Sequence, residues 1–301
     1  MNVPLVAIGM PVYNCEGTVA ESIASILNQT LKDWELIVYD DSSRDGTLAV
    51  VRKFNDPRIR VVEGGRNRGL PACLNEIIAQ CKSEYFARMD GDDIAYPNRL
   101  QSQLDFLQNH SEVDLVAGSI LVFSGDGAAL GVRRSVATTH EQICANAWSG
   151  FPMAHPTWMG RTGWFHRNPY NADMVRMEDW ELLFRTHRHS RFANLPEIVL
   201  GYREDSLSLP KILVARRNRC AVMLRTAWGD RTPGRAAWGI IGQIARSVVD
   251  TIAIGSNLNY RLLKHRIPPV SAEEVAAWEI VLKKTRDTAS EKIVSHEVAC
   301  G

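Results

Sequence analysis

The sequence predicts an α/β fold built on a mainly parallel sheet with helices on both faces. Through the first 125 residues, short apolar runs typical of buried strands alternate with segments whose apolar residues recur at helical spacing. Such alternation is typical of strand–helix–strand units, whose parallel strands are joined by crossover helices. The length of 301 residues accommodates one such domain and an appended segment.

Five apolar runs predict the strands, and four segments between them predict the helices. Val19, Ile23 and Ile26 fall on one face of the first helix, Asp45 stands near the N-cap of the second, and Pro97 opens the last. In chain order the elements are strand Leu5–Tyr13, helix Gly17–Asn28, strand Glu35–Tyr39, helix Thr47–Phe54, strand Ile59–Glu63, helix Leu70–Cys81, strand Tyr85–Met89, helix Pro97–Asn109 and strand Val113–Phe123.

The rest of the chain divides into two further parts. From Ser149 to Arg203 the pattern is less regular, with one helix-like stretch over Glu178–His187. Residues 211–266 hold eleven Lys and Arg against two Asp, a local charge of +9 that the chain total of +1 conceals. We therefore expect boundaries near residues 125 and 210, with 211–301 as a helical extension that carries a basic segment.

Composition excludes several classes of protein. A net charge of +1 gives no chain-wide case for nucleic-acid binding. Hydrophobic residues at 45% and charged residues at 23% are typical of a globular chain. The six cysteines form no C-x-x-C pair, which favours reduced thiols in a cytosolic protein. Neither a signal peptide nor a membrane-spanning helix is expected.

Two acidic clusters follow predicted strands. Asp40-Asp41 ends the second strand and Asp90–Asp93 follows the fourth, at the edge where parallel sheets bind ligands. The D-x-D spacing suits a Mg²⁺ or Mn²⁺ ion that also takes phosphate oxygens. An acid such as Asp41 could accept a hydrogen bond from a nucleoside. Alternatively, both clusters are polar turns and helix caps.

The motifs taken together resemble a known family. They are Pro11-Val12-Tyr13-Asn14, Ser25–Thr30, ELIVYDDSSRDGT, Arg66-Asn67-Arg68-Gly69 with Asn75, and ARMDGDD. In this order and spacing they resemble the nucleotide-sugar-binding half of family 2 glycosyltransferases, which have the GT-A fold. The resemblance is strong over about residues 3 to 125 and looser to about 205. It implies a nucleotide-sugar-binding half over 1–125, and an acceptor-binding and catalytic-base half of the same domain over 126–210.

The resemblance also implies the donor-binding residues. The nucleotide would contact Pro11, Tyr13, Asp41, Arg66, Arg68 and Asp90. Asp92, with Asp90, would hold the Mn²⁺ or Mg²⁺ ion that bridges the diphosphate. Asp93 would be part of the loop structure or a second contact.

The segment Met177–Leu182 resembles the family's E-D motif, in which the aspartate deprotonates the acceptor hydroxyl. An unactivated hydroxyl needs a general base within hydrogen-bond reach. Asp179 beside Glu178 is a carboxylate pair whose repulsion can raise one pKa. Direct attack opposite the leaving diphosphate would invert the anomeric centre. The alternative is that these acids only stabilise the start of a helix.

His155 and Trp180 are further candidates for the acceptor site. His155 matches a segment that often borders that site, and Trp180 could stack on a sugar. A packed, hydrogen-bonded histidine and a core tryptophan are the alternatives.

Two departures from the family pattern stand out. Many relatives read Tyr-Arg-x-His after the base helix, whereas this chain reads Tyr202-Arg203-Glu204-Asp205, which leaves a third metal ligand open. Q-x-x-R-W and membrane spans, which accompany processive synthases, are both absent from the sequence. Transfer of one sugar per catalytic event is therefore expected.

The sequence thus predicts a cytoplasmic, inverting, metal-dependent glycosyltransferase. The expected donor is a nucleotide-sugar, with UDP favoured by family frequency, and the expected acceptor is a glycan or a lipid-linked glycan of a cell-surface polysaccharide. Residues 211–266 have an apolar helical face with basic flanks, which suits an anionic membrane surface or, alternatively, simple packing on the domain.

Other classes of protein compete with this hypothesis. A non-catalytic nucleotide-sugar-binding subunit and a sugar nucleotidyltransferase are both alternatives. The nucleotidyltransferase would need a glycine-rich loop where Met10–Asn14 stands. A dinucleotide-dependent oxidoreductase would need G-x-G-x-x-G after the first strand, and the sequence lacks it.

Overall fold

The computed structural model describes residues 3–204, 209–230, 233–255 and 268–300. The strands are β1 Val6–Val12, β2 Trp34–Asp40, β3 Ile59–Glu63, β4 Tyr85–Arg88, β5 Ile94–Ala95, β6 Leu115–Phe123, β7 Ala129–Arg133, β8 Met159–Arg161 and β9 Phe192–Arg203. The helices are α1 Val19–Leu27, α2 Thr47–Arg52, α3 Leu70–Gln80, α4 Arg99–Asn109, α5 His140–Cys144, α6 Thr162–Arg167, α7 Glu178–Thr186, α8 Leu209–Asp230, α9 Pro233–Gly255 and α10 Ala272–Cys300. One 3-10 turn spans His155–Thr157.

One sheet joins both halves of the domain. Its strand order is β3-β2-β1-β4-β8-β6-β9-β5, and β7 pairs with β6. Strands β3, β2, β1 and β4 are mutually parallel, and so are β6 and β9, whereas β8 pairs antiparallel with both β4 and β6. The predicted mainly parallel α/β fold is confirmed. The carboxyl ends of β3, β2, β1 and β4 meet at one edge.

The core lies on both faces of this sheet. Strand β1 is buried along nearly its whole length, so neither face of the strand tolerates polar side chains. Gly9 permits this packing, because a Cβ there would lie 2.6 Å from the Phe86 ring. On α1, Val19, Ile23 and Ile26 are fully buried, as the helical spacing predicts.

The nine elements predicted through residue 123 are all present, and their ends move by two residues or fewer. Asp45 accepts the Thr47 amide at 3.0 Å at the start of α2, as predicted. Short elements such as β5, β7 and β8 were not predicted. Strand β9 was also missed, because Pro196 and Glu197 interrupt its apolar pattern.

The extension is helical, as predicted, and its helices pack in two places. Helix α8 packs on α9, while α10 lies against α1. Trp278 of α10 is 1% exposed, and its ring lies 4.6 Å from that of Phe123. Its indole N–H donates to the Gly127 carbonyl at 2.8 Å. Arg286 of α10 donates to Glu21 of α1 at 2.8 Å.

We expect Trp278→Ala to destabilise the protein by about 3–5 kcal/mol, because it leaves a cavity between α10 and the sheet. Thermal unfolding followed by circular dichroism measures the effect. Trp238→Ala is the matched control, since Trp238 is 79% exposed and its loss should leave the melting temperature nearly unchanged. Equal shifts in the two variants would contradict the docking of α10.

Candidate active site

Three aspartates form an acidic cluster directly after β4. One carboxylate oxygen from each of Asp90, Asp92 and Asp93 lies within 4.8 Å of the other two. Asp93 is fully buried, and its Oδ2 has no hydrogen-bond partner among the described residues. Burial and repulsion from Asp90 and Asp92 raise the pKa of Asp93 well above its ordinary value. Hard oxygen ligands in this number fit a Mg²⁺ or Mn²⁺ ion, which would compensate the crowded charge.

Asp92 is exposed at the surface of this cluster. Even so, the protein around its carboxyl group and repulsion from Asp90 raise the pKa of Asp92 to about 6. The predicted metal ligands Asp90 and Asp92 therefore lie together, and Asp93 joins them from the buried side.

Arg203, at the end of β9, holds the acidic loop in place. Its backbone N–H donates to Asp93 Oδ1 at 3.0 Å, and its Nε donates to the Asp92 carbonyl at 2.8 Å. Its Nη2 pairs with Glu21 of α1 at 2.7 Å. The Tyr-Arg pair quoted from the sequence thus has a structural role at the cluster. Asp205, the candidate third metal ligand, lies outside the described residues.

The predicted nucleoside contacts lie at the neighbouring strand ends. Tyr13 follows β1 and is 44% exposed, and Pro11 is paired with Tyr39 inside the sheet. Asp41 follows β2, and its two carboxylate oxygens accept the backbone N–H groups of Arg68 and Gly69 at 2.7 and 2.8 Å. Asp41 therefore also fixes the start of α3.

The two predicted arginines lie in the loop after β3. Arg66 and Arg68 are both exposed, and Arg68 pairs with Glu76 at 2.8 Å. Pro11, Tyr13, Asp41, Arg66, Arg68 and Asp90 thus occupy the carboxyl ends of four adjacent parallel strands, where open α/β sheets bind ligands.

A carboxylate pair begins helix α7. Glu178 is buried, and its Oε2 has no hydrogen-bond partner among the described residues. Burial and the nearby Asp179 charge raise the pKa of Glu178 to about 7. The surrounding protein also raises the pKa of Asp179, against the opposing effect of the Arg88 and Arg219 charges. A raised pKa brings a carboxylate closer to the range useful for a general base.

Arg88 carries a charge that acts on both the acidic cluster and the carboxylate pair. It ends β4, is 3% exposed and pairs with Asp90 at 2.6 Å. Its charge also acts on Glu178 and Asp179. Sequence reasoning assigned Arg88 no role, although an arginine in a buried strand directly before M-D-G-D-D is an unusual signal.

His155 and Trp180 are both buried. His155 is 7% exposed, and its Nε2 lies 2.9 Å from the Tyr170 hydroxyl. Burial and the Arg88 charge lower the pKa of His155 well below its ordinary value, so the ring is neutral. Trp180 is 3% exposed, and its ring stacks at 4.6 Å on Phe184. These environments favour packing, and direct contact with the acceptor stays a prediction.

The fold and this arrangement define the class of the protein. A GT-A sheet carries an acidic cluster at the carboxyl ends of its parallel strands, and the Arg88 charge acts on this cluster and on the pair of buried Glu178 and half-buried Asp179. The chain belongs to glycosyl transferase family 2, whose family model matches residues 7–187. The resemblance predicted from the motifs is confirmed, and the protein is a glycosyltransferase.

Two curated relatives illustrate the match. EpsE of Bacillus subtilis is named as a glycosyltransferase. It is 38% identical to this chain over 210 residues, which cover 67% of this chain and 74% of EpsE. The Escherichia coli protein WfgD is 38% identical over 103 residues, covering 34% of this chain and 41% of WfgD. WfgD is named as a UDP-Glc:α-D-GlcNAc-diphosphoundecaprenol β-1,3-glucosyltransferase.

Two solved structures share the fold. S. aureus TarS residues 1–349, in complex with UDP-GlcNAc, aligns with a TM-score of 0.58 at 16% identity over 98% of this chain and 90% of that chain. The Pyrobaculum calidifontis mannosyltransferase PcManGT, in complex with GDP-Man and Mn²⁺, aligns with a TM-score of 0.57 at 15% identity over 98% of this chain and 88% of that chain. At these identities the likeness shows the GT-A fold.

Proposed function

We propose that this glycosyltransferase is inverting and metal-dependent, and that it moves one sugar from a nucleotide-sugar to a glycan or lipid-linked acceptor in cell-surface polysaccharide synthesis. The observation that carries the proposal is the ion pair of Arg88 with Asp90 in the acidic cluster, together with the action of the Arg88 charge on Glu178 and Asp179. A donor diphosphate bound at the cluster and an acceptor hydroxyl bound at the pair would then both be near the Arg88 charge.

The donor side of the proposal rests on the acidic cluster. Asp90 and Asp92 would hold Mn²⁺ or Mg²⁺, with Asp93 beneath them. When bound, the ion would stabilise the negative charge of the leaving diphosphate. Arg203 and Glu21 keep the loop in position, and the strand-end residues from Pro11 to Arg68 would enclose the nucleoside.

The acceptor side rests on Asp179. Its carboxylate would take the proton of the acceptor hydroxyl as that oxygen attacks the anomeric carbon and the bond to the diphosphate breaks. Attack from the face opposite the leaving group inverts the anomeric configuration. Glu178, with a pKa raised to about 7, would be largely protonated below that pH. It would then add little negative charge beside the base.

The name of WfgD supports UDP as the nucleotide and a sugar diphospholipid as the acceptor. The nucleotide-binding motifs of this chain support the donor more directly than the acceptor. A cytoplasmic location stays a prediction.

The proposal is tested by nucleotide release from a panel of UDP-, TDP- and GDP-sugars in the presence of Mn²⁺. We expect one nucleotide to be released, because slow donor hydrolysis needs no acceptor. Calorimetry could instead detect metal-dependent nucleotide binding while no nucleotide is released, with or without added glycan or lipid-linked acceptors. In that case the non-catalytic binding subunit replaces the enzyme hypothesis. Release of pyrophosphate from a nucleoside triphosphate and a sugar phosphate would indicate the nucleotidyltransferase.

The outer face of α9 supports the membrane part of the proposal. Gln243 and Asp250 are 4% and 1% exposed, and Asp250 pairs with Arg216 of α8, so the polar side of α9 faces α8. The opposite side presents apolar residues that are each more than half exposed: Trp238, Ile241, Ile244, Val248, Val249 and Ile252. Among the described residues no helix is long and apolar enough to cross a membrane.

An anionic bilayer surface is the partner that we propose for this face. Arg217 and Arg246 are exposed on the same two helices, and residues 211–266 carry the local charge of +9. An amphipathic helix with basic flanks lies in the plane of such a surface and buries its apolar side there. This position would bring the active site close to a lipid-linked acceptor.

We expect the wild-type protein to float with phosphatidylglycerol-containing vesicles, and the double variant Ile241→Asp/Val248→Asp to lose about tenfold or more in vesicle partitioning, because each buried apolar side chain contributes about 1.5–3 kcal/mol. Val294→Asp is the matched control, since Val294 is 57% exposed on α10. Equal flotation of the double variant and the wild type would remove the membrane part of the proposal.

A further inference from the structure

Helix α8 reaches both sides of the catalytic carboxylate pair. Trp180 directly follows Asp179 in the chain, and the Arg219 guanidinium lies over the Trp180 ring at 4.9 Å. Arg219 also donates to the Ser149 carbonyl at 3.0 Å. Asn218 donates to the Val175 carbonyl at 2.9 Å, just before α7. The extension therefore forms a wall of the acceptor side.

Positive charge is concentrated at this wall. Burial lowers the pKa of Arg219, and the charges of Arg246 and Arg216 lower it further, while Asp179 opposes them. Arg216 pairs with Asp250. The Nε of Arg219 is buried and has no hydrogen-bond partner among the described residues. Arg219 is half-buried overall, and a guanidinium with an unused donor is suited to bind an anion.

A cavity lies beside the hydrogen-bond partner of this arginine. Its volume is about 530 Å³, and it lies between the loop at residues 144–149 and the start of α9. Ser149, the hydrogen-bond partner of Arg219, lines one part, and Trp238 of the exposed apolar face lines another. The cavity thus extends from the hydrogen-bond partner of Arg219 to Trp238 of the apolar face of α9.

We propose that Arg219 binds the phosphate groups through which the acceptor sugar is attached to its lipid. This inference rests on the proposed function, because it takes Asp179 as the base for the acceptor hydroxyl. An acceptor sugar at Asp179 would direct its diphosphate to the guanidinium beside Trp180, and the lipid would continue towards the face of α9. The donor diphosphate occupies the separate acidic cluster.

Binding of decyl diphosphate in EDTA, measured by calorimetry on the full chain, tests this site. Without metal the acidic cluster repels a diphosphate, so the assay reports on the arginines. We expect Arg219→Met to weaken binding about ten- to hundredfold, as for loss of a charge-assisted hydrogen bond, and Arg219→Lys to weaken it less.

Arg167→Met is the matched control, because Arg167 is an exposed arginine of α6, outside the proposed membrane face, and carries the same charge. Unchanged affinity in this variant supports a specific site, whereas a loss equal to that of Arg219→Met would overturn it as general charge attraction. Tighter binding of dihexanoyl phosphatidylglycerol than of decyl diphosphate at Arg219 would also overturn it, in favour of a lipid headgroup site.

The failure of this inference can be told from the failure of the proposed function. Nucleotide release by the wild type tests the transferase and does not require the acceptor. Wild-type release together with unaltered decyl diphosphate binding in Arg219→Met would overturn the arginine site alone. Absence of release would count against the transferase proposal, while the binding assay would still report on Arg219.

Discussion

Replacement of Asp92 by asparagine is expected to reduce nucleotide release by about 10²–10⁴-fold, since metal stabilisation of the leaving group contributes several kcal/mol. Asp92 is the exposed member of the acidic cluster and has the most room to contact both an ion and a diphosphate. Asparagine keeps the size and one oxygen of the side chain but removes its charge. Calorimetry of Mn²⁺ with UDP should show the same loss, because both measurements depend on that charge.

The same substitution, although it lowers activity, should not lower the stability of the protein. The pKa of Asp92 is raised to about 6, so folding disfavours its charged form, and its contribution to stability falls as pH rises through that value. In EDTA at neutral pH, the melting temperature of Asp92→Asn should therefore equal or exceed that of the wild type. A lost activity with a lowered melting temperature would indicate a folding defect instead.

Asp287→Asn is the control for the charge change, because Asp287 is exposed on α10, away from the acidic cluster. Its nucleotide release and metal affinity should match those of the wild type. If Asp92→Asn kept more than a tenth of the wild-type rate at an unchanged Mn²⁺ midpoint, Asp92 would not be a metal ligand.

The parts of the site that could be predicted are those whose residues are adjacent in the chain. A buried run such as E-L-I-V-Y marks a strand, and the acids that follow it must lie at the strand's carboxyl end, so Asp41, Asp90 and Asp92 could be placed at one edge before the fold was known. The E-D motif placed Glu178 and Asp179 at a helix start in the same way.

The contacts that organise the site join residues far apart in the chain, and no local pattern contains them. Arg203 and Glu21 are separated by 182 positions, yet they pair beside the acidic loop. Arg219 reaches Trp180 from a different helix. The amphipathic pattern of α9 predicted an apolar face, but only its packing on α8 shows that this face is the exposed one.

Replacement of Asp179 by asparagine is expected to reduce sugar transfer by about 10²–10⁴-fold, which is the usual contribution of a general base. Affinity for the nucleotide-sugar should stay within about twofold, because Asp179 is not part of the acidic cluster. Transfer and donor affinity, measured separately, therefore distinguish a base from a residue that binds the donor.

The pH dependence of transfer gives a second test of the same residue. The base must be ionised, and the pKa of Asp179 is raised, so kcat/KM should fall as pH falls through a value above that of an ordinary aspartate. Glu178→Gln is the matched control at the neighbouring position. Glu178, whose pKa is raised to about 7, is mostly uncharged over the acidic limb, so glutamine should leave that limb nearly unchanged, with less than a tenfold loss of rate. If Glu178→Gln abolished transfer while Asp179→Asn retained it, Glu178 would be the base.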